Sequence, residues 1–231
     1  MKSALSLIFP PVCPICDRPI GGREARICEH CLAVLKRPLP PTCLCCGKML
    51  EVEVDLCYDC AKTARSFDGG RSCFLNDELI KPALYRLKYH HRADVAEALA
   101  RETVRSLAEM IDFWQADCLI PIPISAERLR KRGYNQAQLL ARRIAIDTGL
   151  PVETGILRRV KRTAALKELT RDERKLQMRQ AFAVSGKVAP TVILVDDIYT
   201  TGATVDAAAA ELKKYGAEKV YFLCVCQGEG V

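Results

Sequence analysis

The sequence predicts an α/β protein with a parallel-rich sheet and flanking helices, preceded by a small cysteine-rich module. Three observations carry that expectation. From Cys73 to the C-terminus, strand-like apolar runs alternate with helical patterns, as crossover-connected parallel strands require. One run, inside Thr191 to Thr204 (TVILVDDIYTTGAT), is continuous and β-branched, the pattern of a strand buried on both faces. Nine of the thirteen cysteines lie before residue 61, which sets a first unit, 1–62, apart from a second, 63–231.

The first unit contains four CxxC pairs: Cys13/Cys16, Cys28/Cys31, Cys43/Cys46 and Cys57/Cys60. CPICDRPI is echoed by CLCCGKML at an offset of 30 residues, the mark of an internal duplication. Two CxxC knuckles supply the four thiolates of a tetrahedral zinc site, and a residue tolerant of positive φ suits the position after each leading knuckle. Asp17 and Gly47 stand there. Two structural zinc sites are expected, Cys13/Cys16/Cys28/Cys31 and Cys43/Cys46/Cys57/Cys60. Interleaved pairing and iron in place of zinc are the alternatives. Disulfides would need an oxidising compartment, and a redox CxxC would sit in a βαβ context, which is absent here. His30 is surplus if the cysteines complete the sites, and Cys45 is a bystander. So small a unit draws much of its folding free energy from metal.

Pro38, Pro40 and Pro41 join the repeats, and Ala61 to Gly70 is the expected linker, with a turn at Asp68-Gly69-Gly70. From Asp77, Leu79, Ile80, Ala83, Leu84 and Leu87 share a helix face, with Pro82 in its first turn. The helix ends at LKYHHRAD, where Asp94 is expected to cap a second helix running to Trp114. Lys88 at that break is a candidate ligand contact, against the plain reading of a lysine snorkelling from a helix end. His90 and His91 are read as surface residues.

Cys118 to Ile124 (CLIPIPI) reads as a buried strand. Arg128, Arg130, Lys131 and Arg132 follow at once, then an Asn135-led helix carrying Leu139, Leu140 and Ile144 inward. Cations at the C-terminal end of a strand can hold a diphosphate, and Arg128 and Arg132 are the candidates. Glu127 to Arg179 carries 15 Lys/Arg against 6 Asp/Glu, a concentration that fits a polyanionic ligand, whether diphosphate or nucleic acid. Thr170 with Glu173 forms a capping box in this stretch.

The run Val192 to Val195 ends in Asp196 and Asp197, then a loop of small and hydroxyl residues, Tyr199 to Thr204, then a helical segment from Val205 to Tyr215. Loop and helix N-terminal amides make an anion site, and Thr hydroxyls add donors. Gly202 permits close backbone approach. The carboxylates, at the C-terminal end of the strand where open sheets bind ligands, accept from vicinal sugar hydroxyls. Gly216 stops the helix, and KVYFLCVC (Lys219 to Cys226) is the closing strand, with Cys224 and Cys226, like Cys118, packed rather than ligating.

VILVDDIYTTGAT resembles the 5-phosphoribosyl-1-pyrophosphate (PRPP) loop of type I phosphoribosyltransferases. With PIPI, RLRKRGYNQA and LKYHH in the same chain behind the cysteine module, the whole sequence resembles the ComF family, phosphoribosyltransferase-like proteins linked in some members to DNA uptake. The resemblance implies a type I phosphoribosyltransferase-like domain behind a double zinc ribbon. It places Asp196 and Asp197 on ribose as the catalytic pair, and Thr200, Thr201, Gly202, Ala203 and Thr204 on the 5′-phosphate. Arg128, Arg132 and Lys88 would complete the PRPP contacts, and Mg²⁺ would accompany the diphosphate. Thr163 to Phe182 corresponds to the hood, but Leu166-Lys167 and Gln177 depart from the family's Gln and Asn, which leaves the acceptor base unspecified.

At 231 residues and 49% apolar content, with a net charge of +7, the chain is a globular protein of two units. No apolar run approaches the ~20 residues of a membrane span, and Leu5 to Val12 lacks the cleavage pattern of a signal peptide, so a cytoplasmic protein is expected. Three functions fit. The first is a PRPP-binding protein of DNA uptake that contacts single-stranded DNA and the uptake machinery. The second is an active transferase on a base or amine, and the third a zinc-ribbon adaptor with a retired enzyme domain.

Overall fold

The computed structural model describes residues 11–21, 26–90, 92–160 and 181–228. The chain order is α1 (Glu29–Val34), α2 (Tyr58–Lys62), β1 (Gly69–Leu75), α3 (Lys81–Tyr89), α4 (Ala93–Phe113), β2 (Cys118–Pro121), α5 (Ala126–Arg132), α6 (Gln136–Thr148), β3 (Leu157–Arg159), β4 (Phe182–Val184), β5 (Thr191–Tyr199), α7 (Ala203–Lys214) and β6 (Lys219–Gln227). Four strands form one parallel sheet in the order β1-β6-β5-β2, and β3 pairs antiparallel with β4. The segment expected to form the hood lies outside the described residues for nearly all its length, as does most of Leu5 to Val12.

Alternation along the central strands divides the core into two layers. Ile193, Val195, Leu223 and Val225 face one layer with α3, α4 and α6, while Val192, Leu194, Val220, Phe222 and Cys224 face the other with α7, β3 and β4. Each half of the cysteine module joins a different layer. Cys13, Ile15, Ile27, Cys31 and Leu35 pack into the first, and Cys43, Cys46, Cys57 and Cys60 into the second. The module therefore straddles the β1 edge of the sheet, where β1 amides reach it: Gly70 donates to the Cys45 carbonyl at 3.0 Å and Leu75 to that of Lys36 at 2.9 Å. An open edge is thereby covered.

Five local expectations change. Gly69 and Gly70 begin β1 rather than forming a turn, because a Cβ on Gly70 would fall 2.1 Å from the Phe222 ring, and only glycine lets the strands close over it. The first helix starts at Lys81, where Pro82 costs no hydrogen bond, and the turn before it is closed by Asp77, whose Oδ1 accepts from the amides of Leu79 and Ile80. Leu79 is left exposed by that turn. Asp94 sits inside the first turn of α4, gripped by Arg92 at 2.7 and 2.8 Å, and the N-cap is Arg92. The fifth change is in β5, which runs four residues beyond Val195, because β6 continues to pair with it as far as Tyr199↔Gln227. β2 stops opposite Val195, so Asp196 to Tyr199 are paired on one side only. That unequal length opens the site.

Candidate functional site

Within each four-cysteine group, Cys13/Cys16/Cys28/Cys31 and Cys43/Cys46/Cys57/Cys60, the sulfur atoms lie within 4.8 Å of one another. Interleaved pairing is thereby excluded. The two halves share one local geometry. Asp17 and Gly47 adopt φ of 58° and 72°, and their amides bond back to the carbonyls of Cys13 and Cys43, both at 2.9 Å. Cys28 and Cys57 are the N-caps of α1 and α2, which seat Cys31 and Cys60 one turn in. Four thiols with no competing side chain fit structural zinc. The amide of Arg18 draws the Cys16 thiol down to about 7. Cys43 reaches about 7 against its burial through the amides of Cys46, Cys57 and Cys45. His30 is exposed, and Cys45 and His30 belong to neither group.

A cavity of about 290 Å³ opens beyond the C-terminal ends of β2 and β5. Asp196 and Asp197 from β5 form one wall with Thr204 of α7. Arg128 and Arg132 of α5, Lys88 and Tyr89 at the end of α3, Gln136 at the start of α6 and Arg159 of β3 complete the polar lining. The placement follows from local sequence. Ser125 caps α5 by accepting from the Arg128 amide at 3.3 Å, and Gly133, at φ 77°, ends that helix after two turns. Asn135 then caps α6, accepting from the Ala137 amide at 3.1 Å and donating to the Ile122 carbonyl at 3.0 Å. The basic segment is thus tied to the strand that carries it.

A buried polar chain joins the two walls. Lys88 Nζ pairs with Asp197 Oδ2 at 2.6 Å, and Gln136 donates to Asp197 Oδ1 at 3.3 Å. Arg132 donates to the same Gln136 side chain at 2.8 Å and lies over the Tyr89 ring at 5.0 Å. The two carboxyls are driven apart. Burial, followed by the charge on Asp197, pushes the Asp196 carboxyl well above the usual range, though its edge keeps contact with solvent. Burial opposes ionisation of Asp197 as well, but the Lys88 ammonium together with the Asp196 and Gln136 side chains outweighs it and holds that carboxyl low. The pair thus resists carrying two negative charges at once.

Of the sequence-predicted residues, the cavity gathers Asp196, Asp197, Thr204, Arg128, Arg132 and Lys88. Thr200, Thr201 and Gly202 form the turn beside it and Ala203 opens α7, and none of the four lines it. Gly202 is required for a reason other than ligand approach: it sits at φ 78°, and a Cβ there would fall 2.5 Å from the Tyr199 hydroxyl. Tyr199, expected in the loop, is instead a buried core residue stacked on Phe222 at 4.5 Å. Tyr89, Gln136 and Arg159 escaped the sequence reading. Gln136, next to the capping Asn135 at a helix start, carried a usable signal; Arg159, on a three-residue strand, carried none.

A fold with its polar cavity at the C-terminal strand ends, between paired acids and a basic helix, matches the family comparisons. The model of the phosphoribosyl transferase domain matches residues 92–230, and that of the double zinc ribbon domain matches residues 4–61. The class is thus a phosphoribosyl transferase domain behind a double zinc ribbon. Competence protein F of Haemophilus influenzae is 30% identical over 204 residues, covering 84% of this chain and 87% of that protein. DNA utilization protein YhgH of Salmonella typhimurium is 26% identical over 225 residues, covering 96% and 99%. Competence protein ComFC of Bacillus subtilis is 28% identical over 201 residues, covering 84% and 80%. The chain belongs to the ComF family.

Proposed function

We propose that this chain binds PRPP in the cavity and acts on the cytoplasmic side of DNA uptake, handling single-stranded DNA with the uptake machinery. One observation carries the reading: two carboxylates and the start of α7 face arginines of α5 across a single cavity. A ligand with vicinal hydroxyls between two phosphate groups needs that division of charge. Residues 63–231 would hold the ligand and residues 1–62 the zinc. Asp196 and Asp197 would accept from the ribose hydroxyls, Thr200 to Thr204 would donate to the 5′-phosphate, and Arg128, Arg132 and Lys88 would meet the diphosphate. Mg²⁺, bound with the ligand, would neutralise diphosphate charge through substrate oxygens and water. The uptake role is supported by relatives named for competence and DNA utilization.

The acidic pair also supports a second reading, transfer of the phosphoribosyl group. Loss of diphosphate from C1 builds positive charge there, which a neighbouring carboxylate stabilises. Calorimetric titration of PRPP with Mg²⁺ tests the binding: wild type should saturate at one site. Asp196→Asn combined with Asp197→Asn should lose binding and keep its zinc. An unchanged titration in the double variant would refute the assignment. Diphosphate release on offering a panel of bases would support transfer. For the DNA role, affinity for a single-stranded oligonucleotide should fall linearly on a log–log plot against salt.

A further inference from the structure

The duplicated module sets its halves against different parts of the cavity. The first half touches α3: Arg86 donates to the Pro14 carbonyl and pairs with Asp17, both at 2.6 Å, two residues before Lys88. The second half shares the layer beneath the turn at 200–204. Tyr199, 1% exposed, shares its hydrophobic layer with Cys43, Cys46, Cys57 and Cys60. Its ring is fixed between Phe222, stacked at 4.5 Å, and Phe67, edge-on at 6.3 Å. Its hydroxyl fills the space beside Gly202, the N-cap of α7. A second tie runs through the backbone, where the Ser66 amide, six residues past Cys60, donates to Asp206 in the first turn of α7 at 2.6 Å.

We propose that Tyr199 is a positioning residue through which the second zinc cluster holds the 200–204 turn in its ligand-ready shape, so that metal at that cluster and phosphate-ester ligand in the cavity bind cooperatively. This rests on the PRPP reading for the ligand but not for the contact with the metal cluster. The hydroxyl abuts the turn at Gly202, and the ring lies in the same packed layer as the four cysteines, locked by two aromatic neighbours. A rigid side chain between two sites transmits any displacement of either, and linkage makes the effect reciprocal. The first cluster has no such side chain reaching the turn among the described residues, so the two duplicated metal sites should respond differently.

Tyr199→Phe keeps the ring stack and removes only the hydroxyl, so it isolates the connection. The first readout needs no ligand. In the chain loaded with ¹¹³Cd, two tetrathiolate resonances are expected, and Tyr199→Phe should shift one and leave the other in place. Release of one of the two zinc ions to a chromophoric chelator should also quicken. If neither resonance moves and both ions leave at the wild-type rate, the proposal is overturned whatever the cavity binds. The second readout adds saturating PRPP with Mg²⁺ to the zinc-loaded wild type. Release of one zinc should slow about fivefold or more. In Tyr199→Phe that protection should vanish while circular dichroism stays native. Protection of equal size in the variant, or none in a wild type that binds PRPP calorimetrically, would overturn the coupling. A ¹¹³Cd shift in Tyr199→Phe together with no calorimetric PRPP signal in wild type would instead sink the ligand reading alone.

Discussion

At the residue scale, the two acids act on folding in opposite directions. The folded pKa of Asp196 is raised, so the stability it contributes is present below the usual carboxylate range and is lost as pH rises through its folded pKa. Asp197 works the other way: its folded pKa is lowered by Lys88, so its contribution is present above the usual range and fades as pH falls through the folded value. Asp196→Asn should therefore stabilise the protein, by roughly 1–3 kcal/mol if the substituted amide finds partners. Thermal melts should show a larger gain at pH 8 than at pH 4.5; a variant that melts lower at both would contradict the assignment. Gly202→Ala should do the reverse. Its left-handed φ costs about 1–2 kcal/mol for any side chain, and its Cβ would strike the Tyr199 hydroxyl. Urea denaturation should register a loss of at least that size, with weaker PRPP binding.

At the element scale, the cavity exists because β5 outlasts β2. The sequence of β5 is apolar only to Val195, and the four further paired residues, Asp196 to Tyr199, follow from β6 lying alongside. The start of α6 is the other determinant. Asn135 caps the helix and ties it to the Ile122 carbonyl, and so sets the position of Gln136 between Asp197 and Arg132. Asn135→Ala should cost about 1 kcal/mol in stability, as lost caps do. It should also reduce PRPP affinity beyond any effect of stability, because Gln136 would lose its register. Equal losses with Asn135→Ala and with Gln138→Ala, a substitution of the same helix away from the cavity lining, would argue against this. Most elements were legible by period and caps, including α6 and the knuckle residues Asp17 and Gly47. β1 was not, since Gly69-Gly70 carries turn chemistry locally and becomes strand only where Phe222 leaves no room for a side chain.

On the scale of the whole molecule, the cysteine module is an integral wall rather than an appended one. Its halves enter opposite layers of the sheet, and Arg37 crosses to Glu102 of α4, ion-paired and largely buried. Metal analysis should find two zinc ions per chain. Removing both with a strong chelator should lower the melting temperature of the entire protein in one transition, since neither layer is complete without its half of the module. Two separated transitions, with the sheet domain melting at its original temperature, would show that the boundary at residue 62 is energetically real. No helix among the described residues is long and apolar enough to cross a membrane.

The sequence by itself determined the chemistry: eight cysteines in four spaced pairs, a strand tipped with two acids, a turn that needs Gly202, and arginines two turns past another strand. Local spacing suffices for these because each motif is closed within about twenty residues. Only the tertiary structure decided which groups meet. The pairing of Lys88 with Asp197, Gln136 with Asp197, Arg159 in the lining and Tyr199 in one layer with the second cysteine group all join residues more than twenty positions apart. Such contacts depend on the order of strands in the sheet and on where each one stops, and no local pattern encodes either.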